Sequence, residues 1–391
     1  MSLGFLFFAA LFFGLYASKF VSLLKLPGVL GMVFVGIFIG TMFELPASLN
    51  ESSGFIKSLA LTIILLKAGL GISVDQLRRA GLSAILMAFV PCILEGLALT
   101  VIFHHLFGFD YAVAGLTGFM LAAVSPAVVV PSMLDLKSKG YGEKREVPTI
   151  VLAGASVDDV IAITLFSVCM GMATTGDIAI NQALISIPVS ILVGLIPGLI
   201  LGGILAFVFN RYRVPMIEKV LLLLTLSTLL VEVGHYLESA ALLGVMAVGF
   251  ILLDRAERSA IELSTLLGHI WFFAQIALFV LIGLSVDMDI ALNSGVKGIM
   301  AITAGLVFRS IGVLIATQFS ALNIKERLFC VIAYLPKATV QAALGGAALA
   351  AGLPDGETIL ALAVLAIIFT APIGLIGLNL FGTKLLAKNE H

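Results

Sequence analysis

The chain reads as a succession of apolar stretches of about twenty residues, each closed by a charge, a proline or a glycine. They fall near residues 3–24, 28–43, 54–74, 80–106, 111–134, 147–173, 180–209, 217–234, 238–254, 262–285, 296–319, 325–351 and 357–381. Backbone polar groups inside a bilayer must be satisfied within the segment, so runs of this kind predict membrane-spanning helices. The pattern therefore predicts an all-α polytopic membrane protein of about 13 transmembrane helices, with connections too short for a soluble domain. No basic residue precedes the first run and no small-residue cleavage site follows it, so it reads as a retained span.

Composition agrees. The sequence is 61% hydrophobic and 12% charged, against about 25% charged in a soluble domain. Its mean hydropathy is +1.18. A formal net charge of −1 offers nothing to a nucleic acid. Cys92, Cys169 and Cys330 are scattered through apolar runs without disulfide or metal spacing and read as small core residues.

The few charges alternate along the chain. Lys19, Lys25, Arg78, Arg79, Lys137, Lys139, Lys144, Arg145, Arg211, Arg213, Lys219, Arg255, Arg258, Lys325, Arg327, Lys384 and Lys388 fall at alternate ends of the runs. The opposite ends carry Glu44, Glu51, Asp110, Asp177, Glu238, Asp287, Asp289, Asp355 and Glu357, with Lys57 and Lys297 as the cations. By the positive-inside rule the N-terminus lies outside and the C-terminus in the cytoplasm, in an expected bacterial inner membrane. Lys67, Arg309 and Lys337 are left as cations at membrane depth.

The sequence also repeats. Gly71-Ile72-Ser73-Val74-Asp75 returns as Gly283-Leu284-Ser285-Val286-Asp287, an odd number of helices later, so the second half is expected to be inverted. The same spacing brings Pro126 close to the position of Pro336, and Glu95 close to that of Arg309. Ser125-Pro126 reads as an N-cap followed by proline at the first helical position, a restart after a break, and Leu335-Pro336-Lys337 can do likewise. Two crossed discontinuous helices follow, whose half-helix ends supply fixed partial charges for a small ion.

Asp158 and Asp159 stand side by side in an otherwise apolar run from Ala153 to Phe166. A charge near the bilayer centre costs at least about 2.5 kcal/mol, so a buried acidic pair marks a functional site. Without a cofactor, such a pair can exchange a proton for a metal cation.

Ala155-Ser156-Val157-Asp158-Asp159-Val160-Ile161-Ala162-Ile163-Thr164, Ser125-Pro126-Ala127-Val128-Val129-Val130-Pro131-Ser132-Met133 and Leu335-Pro336-Lys337-Ala338-Thr339-Val340-Gln341-Ala342-Ala343 together resemble the monovalent cation:proton antiporters. The resemblance is closest to the double-aspartate branch, which includes animal mitochondrial-type sodium/proton exchangers and electrogenic bacterial antiporters, and it covers essentially the whole chain. It implies a homodimer embedded in lipid, with a scaffold and a mobile core that carries the ion by an elevator-like movement. On that pattern the scaffold takes residues 1–50 and, after a linker helix, the later helices of 178–256, while the core takes 51–177 and 257–391. It implies exchange of Na⁺ or Li⁺ for H⁺ and no further cofactor or enzymatic activity. A K⁺/H⁺ antiporter, or a sodium-coupled organic-solute symporter of a related inverted-repeat fold, is the alternative.

On the same resemblance Asp159 is the ion-binding carboxylate. Adjacent helix residues point about 100° apart, which leaves Asp158 to the polar shell. Ser156, one turn before Asp159, and carbonyls near Ser125 could add hard oxygen ligands, or Ser156 and Thr164 could simply pack in the helix. The chain departs from the family at Arg309, which stands where a membrane lysine is expected and cannot deprotonate. Glu95 is the expected partner of Arg309, since either alone in lipid would be costly. Lys337 is expected to compensate the negative half-helix ends or to pair with Asp158. Lys67 has no evident partner, and Glu232 and His235 read as a solvated helix end.

Rival classes fail on the residues. An intramembrane aspartyl protease needs its carboxylates on different helices, and nothing here repeats like a channel filter. In an apolar site one carboxylate that accepts either a proton or a cation couples the two ions by competition.

Overall fold

The computed structural model describes residues 3–23, 28–43, 47–175, 180–237, 239–284 and 288–388. Among the sequence features singled out above, Lys25, Glu44, Asp177, Glu238 and Ser285-Val286-Asp287 lie outside them, as do the side chains of Glu51, His235 and Asp289.

The described residues are almost entirely helical. The helices are α1 (Leu3–Leu23), α2 (Gly28–Met42), α3 (Ala47–Gly69), α4 (Val74–Phe107), α5 (Tyr111–Ala122), α6 (Pro126–Ser138), α7 (Val147–Thr175) and α8 (Ile180–Arg211). They continue with α9 (Met216–Tyr236), α10 (Ala241–Arg255), α11 (Glu257–Leu284), α12 (Met288–Ala316), α13 (Ile324–Ala333), α14 (Thr339–Leu344), α15 (Ala347–Ala350) and α16 (Gly356–Leu385). Among the described residues seven spans meet both the length and the hydropathy of a membrane crossing, including the α5–α6 pair taken together, and α1 and α2 contribute shorter apolar helices. An all-α polytopic membrane fold is the architecture expected from the runs.

The chain divides into two compact units. The first comprises Met1–Arg78 and Pro188–Ser285, the second Arg79–Ile187 and Val286–His391. In the first, α3 packs on α10 and α11, and α11 on α2. Glycines make these approaches close: a Cβ on Gly69 would collide with the Met246 carbonyl, and one on Gly36 with that of Val280. These packing limits lie one helix later in each half than those expected for scaffold and core, because the glycine faces of α3 and α11 bind them to α10 and α2.

In the second unit the two halves of the chain correspond at a separation of 214 positions, two more than the Gly71–Asp75 motif suggests. Glu95 contacts Arg309 and Ser125 meets Thr339 at this same separation of 214. Gly81 (φ 54°, ψ −139°) in α4 and Gly295 (φ 50°, ψ −150°) in α12 obey it too, and they share a backbone conformation closed to residues with a Cβ. Contacts between a residue and its own repeat mate arise where a two-fold axis passes between them. Glu95–Arg309 and Ser125–Thr339 thus place that pseudo-axis at the crossing of the broken helices.

Candidate functional site

The site grows from the two breaks. α5 stops at Ala122, the chain is extended through Ser125, and α6 restarts with Pro126 at its first position, as expected. Ser125 occupies the N-cap with φ −85° and ψ 109°, but its side chain makes no capping hydrogen bond and its Oγ lies 3.5 Å from Thr339 Oγ1. On the other strand of the crossing α13 ends at Ala333 and helix resumes at Thr339. Pro336 therefore sits within the break and not at a first helical position, contrary to expectation. The reason is bonding across the crossing: the Pro336 carbonyl accepts from Ser125 N at 2.8 Å, and Lys337 N donates to Thr370 Oγ1 at 2.9 Å.

Arg309 occupies the centre, fully buried. Its Nη1 donates to Glu95 Oε2 at 2.9 Å and also to the Ala122 carbonyl. Its Nη2 donates to both oxygens of Asp158, at 3.0 and 3.1 Å. Its Nε donates to the Tyr334 carbonyl at 2.7 Å. Ala122 is the last residue of α5 and Tyr334 the C-cap of α13, so one guanidinium neutralises the negative ends of both broken helices together with two carboxylates. Only a planar fork of five donors can serve four partners in this way.

This corrects the role expected of Lys337. Its Nζ contacts Glu95 at 2.8 and 2.9 Å, and neither a half-helix end nor Asp158 is its partner, because Arg309 has taken both. The Glu95–Arg309 pair is present as expected; that Arg309 also holds Asp158 was not foreseen. The signal was available in the sequence, since a five-donor group in lipid needs more than one acceptor. Glu95, Asp158, Arg309 and Lys337 form a cluster of two acids and two bases, and each is buried to within 1% exposure.

The two adjacent aspartates differ. Besides Arg309, Asp158 accepts a bond from Val124 N to Oδ2 at 2.9 Å. Asp159 has a buried Oδ1 with no hydrogen-bond partner among the described residues. Ser156 is buried and donates to Leu152 O at 2.9 Å, while Thr164 donates to Val160 O at 2.7 Å, the usual back-bonds of helix hydroxyls. Of the carbonyls near Ser125, Ala122 O is engaged by Arg309, Ala123 O by Gln341, and Ser125 O by the first turn of α6.

Two residues escaped the sequence reading. Gln341 is buried and donates to Met120 O and Ala123 O. Tyr334 is fully buried, with the Arg309 guanidinium 5.1 Å from its ring centroid and its hydroxyl against Gly154. Lys67 lies in the other unit, its Nζ 3.1 Å from where a Cβ on Gly268 would stand, and no ion pair is seen for it among the described residues. Glu232 is exposed, in keeping with a solvated helix end.

A buried charge cluster at crossed helix breaks, beside a carboxylate oxygen that has no hydrogen-bond partner among the described residues, fits a polytopic ion transporter. The chain belongs to the sodium/hydrogen exchanger family, whose transmembrane region matches residues 7–381. It is 33% identical over 392 residues to mouse sodium/hydrogen exchanger 9B2, covering 95% of this chain and 71% of the relative. It is 32% identical over 390 residues to human sodium/hydrogen exchanger 9B1, covering 93% of this chain and 73% of the relative. Its fold is that of the sodium proton antiporter MjNhaP1 from Methanocaldococcus jannaschii, with a TM-score of 0.75 at 20% identity over 97% of each chain. The chain is thus an integral membrane cation/proton antiporter, and its family is one of transporters.

Proposed function

We propose that the protein exchanges Na⁺ or Li⁺ for H⁺ at Asp159. One observation carries the assignment: Asp158 has both oxygens engaged by Arg309 and Val124, whereas Asp159 keeps a buried Oδ1 without a hydrogen-bond partner among the described residues. Two acids and two bases in the cluster balance in formal charge, so ionised Asp159 adds an uncompensated negative charge beside them. A buried charge is tolerated when it is neutralised, and either a proton or a small hard cation does this. Only the neutralised site crosses readily, so each ion drives the other.

Arg309 does not titrate and is locked between two carboxylates and two carbonyls, so we assign it a structural part. A cycle that loads and unloads one carboxylate exchanges one cation for one proton and moves no net charge. We further propose that the second unit carries the ion by an elevator-like movement within a homodimer. The N-terminus lies outside and the C-terminus in the cytoplasm of a bacterial inner membrane, the orientation favoured by the positive-inside pattern.

Purified protein in liposomes with a trapped pH dye tests the reading. An inward Na⁺ gradient without any organic solute should drive internal protons out and alkalinise the lumen, and Asp159→Asn should abolish this. A requirement for an organic solute, or normal exchange by folded Asp159→Asn, overturns it.

A further inference from the structure

Gln341 belongs to the motif Leu335–Ala343, yet the exchange chemistry gives it no task. Its side chain is 1% exposed and stands on the short helix that restarts after the second break. Nε2 lies 2.9 Å from Met120 O and 3.1 Å from Ala123 O. Both neighbours are acceptors, so the NH₂ end must face them, and both amide protons are committed to carbonyls at the end of α5.

The peptide between Ala123 and Val124 is the telling feature. Its carbonyl accepts from Gln341 at 3.1 Å, and its N–H, on the opposite edge of the same plane, donates to Asp158 Oδ2 at 2.9 Å. A peptide is rigid, so fixing its oxygen fixes the direction of its N–H. No helix holds this peptide, because it lies in the break between α5 and α6. Side chains must therefore orient it. Its repeat partner offers no equivalent: at the 214-residue separation Gln341 corresponds to Ala127, which has no polar side chain.

We propose that Gln341 is a positioning residue for the ion site. It locks the Ala123–Val124 peptide so that the Val124 N–H holds Asp158 against Arg309, which in turn leaves Asp159 as the carboxylate open to exchange. Through the same two bonds Gln341 ties the first broken helix to the second. This inference rests on the exchange reading above.

The test compares wild type with Gln341→Leu and Gln341→Met, which remove the donors and nearly preserve the volume, and with Asp159→Asn. Apparent KM for Na⁺, maximal rate and the pH profile of exchange are measured in proteoliposomes, alongside thermal stability in detergent. Losing the lock should raise the apparent KM about five-fold and move the pH profile, the scale of one net hydrogen bond, while exchange itself persists. The Na⁺ concentration that gives half of the thermal stabilisation should rise by the same factor. A folded Leu or Met variant with wild-type KM and pH profile, whatever its melting temperature, overturns the inference and leaves the Asp159 assignment standing. Exchange by Asp159→Asn overturns that assignment instead.

Discussion

Asp158 and Asp159 are neighbours in sequence and opposites in partnership: Asp158 is held by the Arg309 guanidinium and the Val124 N–H, while Asp159 keeps a buried Oδ1 with no hydrogen-bond partner among the described residues. Their side chains leave the helix about 100° apart, which is how one dipeptide presents two carboxylates to different surroundings.

The two should therefore respond differently to amidation. Asp159→Asn should abolish Na⁺/H⁺ exchange with little loss of folded stability, and should remove the thermal stabilisation that Na⁺ or Li⁺ confers on the native protein by mass action. Asp158→Asn should destabilise first, by about 3–5 kcal/mol, because it leaves part of the Arg309 charge buried and uncompensated. Thermal melts with and without Na⁺, paired with liposome assays, separate the two; equal melting behaviour would contradict the division of roles.

Arg309 is expected to resist replacement. Arg309→Lys has one ammonium for four acceptors and should lower stability markedly while keeping the charge. Viewed as an isolated pair, Glu95 and Arg309 could be exchanged with partial rescue. In the cluster, exchange would put an arginine against Lys337 and a glutamate against Asp158, so the double substitution should be no more stable than the single ones. Melting temperatures of the three variants in detergent decide this, and rescue by the exchange would break up the cluster.

The proposed competition for one carboxylate predicts a pH dependence. As pH falls, protons displace Na⁺, and the apparent KM for Na⁺ should rise by about tenfold per pH unit once protonation dominates, with the maximal rate little changed. The same single-site cycle predicts that an imposed membrane potential leaves the exchange rate unaltered. Measurements in proteoliposomes with a valinomycin-set potential check both; a voltage-dependent rate would require a second titrating group.

Gly154 packs where no Cβ fits. One added there would collide with the Tyr334 hydroxyl and lie 2.8 Å from Met87 Cβ. Gly154→Ala should cost about 1–3 kcal/mol, as overpacking does. Tyr334→Phe removes the obstructing hydroxyl, which has no hydrogen-bond partner among the described residues, and should recover part of the loss. A double-mutant cycle in thermal stability shows the coupling, and simple additivity would deny the contact.

Much of this protein is determined by its sequence alone. Apolar runs of membrane length can only become helices, because lipid offers no partner to an exposed peptide group. Acidic residues in such runs are too costly to be incidental, so Asp158 and Asp159 stand out as candidates in the sequence, and the cation Arg309 pointed to Glu95 as its partner. Tertiary structure decided the remainder. Arg309 captures Asp158 and both helix ends, Lys337 is displaced onto Glu95, and Gln341 reaches across to α5, because each outcome depends on which acceptors two inverted halves bring within 3 Å or so of one donor. Periodicity and cost are properties of a single segment and can be read along it. The sharing of a few buried charges among several partners exists only once the segments cross.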